Sequence, residues 1–165
     1  MKTKRRAGKR DLLIDTAMRL FAERGYHATG IDTILAEAGI AKMTLYHHFR
    51  SKEELIVAAL RRRDEQWRNW FMRRVERAVR SPRGRLLAVF DVLHQWFRAP
   101  DFHGCAFINA AAEAHRPDDP VHRVSAEHKR MLASYLTELA TAAGATDPAA
   151  LAEELMLLMD GAVVT

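Results

Sequence analysis

The sequence predicts an all-α protein. Apolar residues recur at helical spacing along almost the whole chain. Helix-start signals, such as Asp119-Pro120, Asp147-Pro148 and Ser51 followed by Glu54, alternate with stops at Gly25, Gly39, Pro100 and Gly144. No stretch shows the alternation of a strand, and no internal repeat is present. With 165 residues, nearly half of them apolar, the chain fits one domain, or a small module fused to a larger one. No 18-residue apolar run exists to span a membrane. The basic start, Met1 to Arg6, is not followed by the apolar segment of a secretory signal. One cysteine, Cys105, excludes an internal disulfide and fits a cytoplasmic location.

Residues 1–10 form a basic arm, with six Lys/Arg and no acid between residues 2 and 10. Such an arm tracks phosphates, enters a minor groove or is merely a solvated tail. Asp11 opens the first helix, whose inner face carries Leu13, Ala17, Leu20 and Phe21, and Gly25 ends it as the C′ residue. Thr29 is the expected N-cap of a second helix with Ile31, Ile34, Leu35 and Ala38 inward, and Gly39 stops it. Ile40-Ala41 leads into a short third helix. There Leu45 and Phe49 share a buried face while Thr44, Tyr46, His47 and His48 point the other way. After a break at Arg50-Ser51, a capping box of Ser51 and Glu54 starts a long helix over residues 52–80. Its stripe is Ile56, Leu60, Trp67, Trp70, Phe71, Val75 and Val79, with Pro82 and Gly84 as expected terminators. A helix from about Arg85 to Arg98 turns Leu86, Phe90, Leu93 and Phe97 inward. A small-residue helix runs from Gly104 to about His115, closed by Pro117 and Pro120. Asp119-Pro120 starts a long helix to Ala143, lined by Val124, Met131, Leu132, Tyr135 and Leu139. Asp147-Pro148 starts the last, with Leu151, Leu155, Leu158 and Met159 inward.

Charge separates the two ends. The first 52 residues hold 11 Lys/Arg against 5 Asp/Glu, and the remainder 15 against 16. The excess positive charge therefore sits in the N-terminal third, which points to a polyanionic partner for that part alone. The second and third helices are joined by a short turn containing Gly39, which is helix-turn-helix spacing. A small bundle with a tight turn has the same spacing. Local charge and the polar third helix favour DNA.

The first fifty-odd residues resemble the tetracycline-repressor (TetR/AcrR-type) family of bacterial transcription regulators. The matching elements are Ile14-x-x-Ala17-x-x-Leu20-Phe21, Gly25, Thr29, Ile34, Ala38-Gly39-Ile40, and Thr44-Leu45-Tyr46-His47-His48-Phe49 leading into Ser51-Lys52-Glu53-x-Leu55. Phe102-His103-Gly104-Cys105 through Asn109 and Glu113 resembles one C-terminal subtype. Departures are Ala41 where the family often has Ser, Met43 where it has Gly, and Gly30 where it has a second Thr. The resemblance implies a three-helix helix-turn-helix DNA-binding domain over residues 11–52. A helical ligand-binding and dimerisation domain over residues 53–165 would follow. The last helix reaches Thr165 after four or five turns, where the family continues and adds another helix to a dimeric four-helix bundle. A chain truncated at the C-terminus, or an unusual dimer, is therefore expected.

Lys42 and Thr44 are placed to reach base edges or phosphates, and Met43 to touch a thymine methyl. By the resemblance, Tyr46 and His47 contact backbone and groove, and Lys52 binds phosphate. Thr29, as N-cap, would present free N–H groups to another phosphate. Tyr46 also reads as a partly buried aromatic, and His48 as a structural histidine against the first helix. The effector-binding candidates are Trp67, Trp70, Phe71, Phe90, His94, Phe97, Phe107, Met131 and Tyr135, although each taken singly is better explained as core. Phe102 adds to the aromatic inventory, and His103, Asn109 and His128 are further polar groups that would orient a ligand.

The expected function is a one-component transcription regulator, a repressor that holds a palindromic double-stranded operator as a homodimer. A small hydrophobic or aromatic effector would release it. Two recognition helices would then stand roughly 34–36 Å apart. No cofactor, metal site or membrane partner is implied, since the histidines show no helix-spaced pair beyond the adjacent His47-His48. Two other readings stay open. Cys105, after Gly104 and beside His103, is a candidate redox or electrophile sensor, or an enzyme thiol paired with His94 or His103. Neither an orienting third group nor an oxyanion loop accompanies it, and a small buried hydrophobe is the simpler role, so the chain is not read as an enzyme. The second alternative is an architectural DNA binder without a ligand.

Overall fold

A computed structural model describes residues 8–114, 116 and 118–165. The expectations for residues 1–7 of the arm and for His115 and Pro117 lie outside these residues, whereas Lys9 and Arg10, assigned to the arm, form the first turn of α1 ahead of Asp11. Eight helices and no strand occur among the described residues: α1 (Lys9–Arg24), α2 (Ile31–Ala38), α3 (Lys42–His48), α4 (Lys52–Ala78), α5 (Pro82–Phe97), α6 (Ala106–Glu113), α7 (Pro120–Ala142) and α8 (Pro148–Val164). None of the described helices is long and apolar enough to cross a membrane.

Local signals place most boundaries. Asp119 accepts from the Val121 N–H at 2.8 Å and Asp147 from the Ala150 N–H at 3.0 Å, each followed by a proline that has no N–H to satisfy. Ser51 accepts from the Glu54 N–H at 3.1 Å, but Glu54 reaches back to the Arg50 N–H at 2.7 Å, not to that of Ser51. The box thus closes over the residue before the cap. Thr29 is not the N-cap of α2. Gly30 takes that position, and the Thr29 hydroxyl turns inward to donate to the Leu20 and Gly25 carbonyls.

Pro82 and Gly84 do not terminate α4 but lie in the first turn of α5, capped by Ser81, whose hydroxyl accepts from the Gly84 N–H at 3.2 Å. A Cβ at Gly84 would stand 2.5 Å from Val79 Cγ1, so the glycine admits the side chain where α4 turns into α5. The inward face of α5 is Ala88, Val89, Val92 and Leu93, while Leu86, Phe90 and Phe97 are half-buried beside it. Val79, Met131 and Leu158, expected inward, are exposed.

Two apolar cores result. The first joins α1, Ile34 and Leu35 of α2, Leu45 of α3 and Leu55, Ala59 and Leu60 of α4. It also takes Phe107 and Ala110 from α6 and Val121 and Val124 from α7. The second packs Phe71 and Val75 of α4 against α5, α7 and α8. Helix α4, about 40 Å long at 1.5 Å per residue, runs through both. Arg62 on α4 pairs with Asp11 at 2.7 Å and Asp15 at 2.9 Å, fixing its first half along α1.

Candidate functional site

The third helix is short and seated by one face. Leu45 is fully buried and Phe49, just beyond the helix, nearly so, both in the first core. The guanidinium of Arg10 lies 5.3 Å above the Phe49 ring. That anchoring turns Lys42, Met43, Tyr46 and His47 outward, with Met43 80% and Tyr46 47% exposed. An exposed methionine on a helix held so firmly is surface available to a partner. Lys42 pairs with Asp32 of α2 at 3.4 Å, a solvent-exposed contact that a phosphate would readily replace. Thr44 and His48 are half-buried at the margins of this face.

Two sequence-derived candidates stand apart. Thr29 is 0% exposed, and its hydroxyl bolts the start of the helix-turn-helix to the end of α1 instead of facing outward. Lys52 is half-buried and donates to the His27 carbonyl at 3.3 Å. Burial lowers its ammonium below the usual lysine range, against the opposing pull of Glu113. Its charge is engaged with the loop between α1 and α2.

A second feature lies inside the bundle. Trp67 of α4, Trp96 of α5, Phe107 of α6, His128 and Leu132 of α7 and Met159 of α8 enclose a cavity of about 20 Å³, which also touches Cys105, Arg63 and the ion pair of Lys129 with Asp160. That is room for one water. Its wall is stacked: His128 lies on Phe107 with centroids 3.7 Å apart, and Trp67 on Phe71 at 4.8 Å. The Trp67 Nε1 hydrogen is buried without a partner.

Behind buried His128 stands a half-buried polar relay. Asp64 receives Arg68 through two bonds of 2.7 Å, and its Oδ1 lies 2.7 Å from His128 Nδ1. Burial alone would raise the Asp64 carboxyl, but the bonds from His128 and Arg68 outweigh it and hold the group at about 2. Burial lowers His128 below the ordinary imidazole range despite the Asp64 charge. At neutral pH the ring is therefore uncharged, and because ionised Asp64 can only accept, Nδ1 carries the hydrogen.

Of the aromatic and polar residues named for an effector, Trp67, Phe107 and His128 line this cavity. Phe71 and Tyr135 belong to the second core, where the Tyr135 hydroxyl is buried without a partner. Phe90 packs at the margin of that core, and Phe97 joins Trp96 and Phe102 in an aromatic cluster. Trp70 faces an outer groove beneath the Arg74 guanidinium. His94 and Met131 (38%) are exposed. Both imidazoles proposed as thiol partners, His94 and His103, are exposed, whereas Cys105 is buried at the start of α6. Asp64 was missed, although the letters carry a signal. It sits in register with Leu60, Trp67, Phe71 and Val75, an acid on an apolar stripe. His128 shows the same register with Val121, Val124, Leu132 and Tyr135.

Two family models match the chain: one described as bacterial regulatory proteins, tetR family, over residues 13–59, and a tetracyclin repressor-like C-terminal domain over residues 82–165. Among solved structures, a TetR-family transcriptional regulator from Streptomyces coelicolor is 37% identical with a TM-score of 0.86, over 94% of this chain and 82% of that one. A putative tetR transcriptional regulator from Streptomyces avermitilis is 32% identical with a TM-score of 0.81, over 95% and 85%. Among curated proteins, the transcriptional activator FasR of Mycolicibacterium smegmatis is 48% identical over 54 residues, 33% of this chain and 25% of FasR. The transcriptional repressor KstR2 of Mycobacterium tuberculosis is 33% identical over 108 residues, 66% of this chain and 52% of KstR2. The chain thus spans a quarter to a half of the length of these two curated relatives.

Proposed function

Because the chain belongs to the tetR family of bacterial regulatory proteins, we propose that it is a ligand-responsive transcription regulator that reads a palindromic operator as a dimer. The observation that carries this reading is the outward face of α3. Lys42, Met43, Tyr46 and His47 are exposed on a helix whose other face is locked by Leu45 and Phe49. Lys42 supplies phosphate contact, Met43 an apolar contact to a thymine methyl, and Tyr46 and His47 hydrogen bonds to backbone and groove. Thr44 borders this face, and Thr29 and Lys52 hold the scaffold behind it.

The effector enters the cavity between Trp67, Trp96, Phe107 and His128. Aromatic walls and one unpaired indole N–H suit a small flat molecule with a hydrogen-bond acceptor. At about 20 Å³ the cavity is too small for such a ligand, which therefore binds only a wider arrangement and shifts the population toward it. In the repressor sense, the narrow form holds DNA. The second copy docks on the outer side of α8, where Leu157 (75%) and Leu158 (60%) are exposed next to Val164.

Gel-shift titration with the DNA upstream of the protein's own coding sequence tests the reading. Expected is a saturable complex, outcompeted only by the same sequence, whose affinity falls steeply with salt. Absent or salt-insensitive binding overturns it. Sequence-indifferent binding with no thermal shift from any aromatic compound would favour the architectural alternative.

A further inference from the structure

The run from Gly104-Cys105 through Asn109 to Glu113 plays no part in DNA reading, yet it joins the cavity to the first loop of the helix-turn-helix. Glu113 is the last residue of α6. Its carboxylate accepts from the Tyr26 N–H at 3.1 Å and from the His27 N–H at 2.6 Å. In return, His27 Nε2 lies 2.8 Å from the Glu113 carbonyl oxygen. At the opposite end of α6, the Tyr26 hydroxyl donates to the Ala106 carbonyl at 3.0 Å. One loop is therefore strapped to both ends of one helix. Gly25 permits this twice over. Its φ of +85° suits glycine, and a Cβ there would meet Glu113 Oε1 at 3.1 Å. From the loop the linkage continues inward, since Tyr26 stacks on Phe21 of α1 at 5.0 Å and Thr29 ties the loop to Leu20.

The first turn of α6 also borders the cavity. Ala106 and Phe107 line it, and Phe107 carries the His128 ring. An eight-residue helix is roughly 12 Å long and moves as a rod. A displacement at Phe107 therefore arrives at Glu113. There it meets two charge-assisted bonds, stronger than neutral ones, to backbone that leads directly into α2.

We propose that Glu113 is a positioning residue: it holds the α1–α2 loop, and with it the reader helix, in register, and through it α6 passes a change at the cavity to the DNA-reading face. This inference rests on the DNA-reading function proposed above. A merely structural tether would lower stability without linking the two sites.

The test is a double-mutant cycle on the whole chain, using a duplex selected from a random pool by the wild-type protein. Phe107→Leu perturbs the cavity wall, and Glu113→Gln weakens the strap. Phe107→Leu alone should change duplex affinity roughly two- to thirty-fold. In the Glu113→Gln background it should change nothing further. Amide exchange at Tyr26 and His27 should rise in both single variants and no further in the double. Additive effects on affinity and exchange overturn the proposal, as does a Phe107→Leu protein whose Tyr26 and His27 exchange is unaltered. If Glu113→Gln unfolds, Glu113→Asp, one methylene short of both N–H groups, reads the same cycle. If the pool yields no duplex, the DNA-reading function fails, and the exchange cycle still decides whether cavity and loop are linked.

Discussion

The proposed reading head and the proposed sensing body obey opposite rules about where function sits. In the head, the residues proposed to read DNA lie outside the core that holds them. Met43 and Tyr46 project from α3 while Leu45 and Phe49 anchor it. In the body, the proposed sensing residues are part of the packing. Trp67 and Phe107 line the cavity, but Trp67 also stacks on Phe71, and Phe107 belongs to the first core. Function and stability are thus separable at one end and fused at the other.

The largest expected effect tests the fused end. Phe71→Ala should cost about 3–5 kcal/mol of unfolding free energy, because the ring is fully buried beneath Trp67. Urea denaturation measures it, and a cost under about 1 kcal/mol would break the contrast between the regions.

Asp64→Asn should cost about 1–3 kcal/mol, through a weakened relay to His128 and Arg68. Its pH dependence sharpens the point. Both native values lie below their unfolded ones, so unfolding takes up protons at each site and stability falls as pH falls. The His128 contribution is lost below about 6.5 and the Asp64 contribution between about 4 and 2. Denaturation across that range should show a shallower acid limb for Asp64→Asn. An unchanged limb would mean the relay does not titrate with folding.

Tyr46→Ala should weaken operator binding by about 1–3 kcal/mol and shift the unfolding free energy by no more than about 0.5 kcal/mol. Fluorescence anisotropy paired with a melt separates the two. A large loss of stability would place Tyr46 in the core. The cap between the regions comes next: Ser51→Ala should cost roughly 0.5–2 kcal/mol and weaken operator binding, because Ser51 sets where α4 begins. Unchanged operator affinity would uncouple that junction from reading. The smallest effect is on Met43→Ala, which should leave stability within about 0.5 kcal/mol of wild type while relaxing preference at one base pair.

The contrast between head and body also governs how much was legible. Leu45 and Phe49 could be assigned to one face, and Tyr46 and His47 to the opposite one, because helical spacing divides a short helix, whereas Thr44 and His48, assigned outward by the same spacing, are half-buried at its margins. The same spacing failed in the body. There Trp67, Trp70 and Phe71 read as one aromatic inventory. The structure instead sends Trp70 to an outer groove, Phe71 to a core and only Trp67 to the cavity. Helices buried on several sides offer an aromatic ring more than one inward direction, and only the neighbours decide among them.

What the sequence determined by itself is whatever depends on residues three or four apart. The caps at Ser51, Asp119 and Asp147, the left-handed stop at Gly39 and the anchoring face of α3 all have their cause within one helical turn. Tertiary structure alone decided that Lys52 is engaged by the loop and that Asp64 finds His128 across 64 positions. It also decided that Glu113 closes on Tyr26 across 87. Such contacts depend on how two helices cross, and that is set by the summed packing of many side chains. No local pattern encodes which polar groups then face each other.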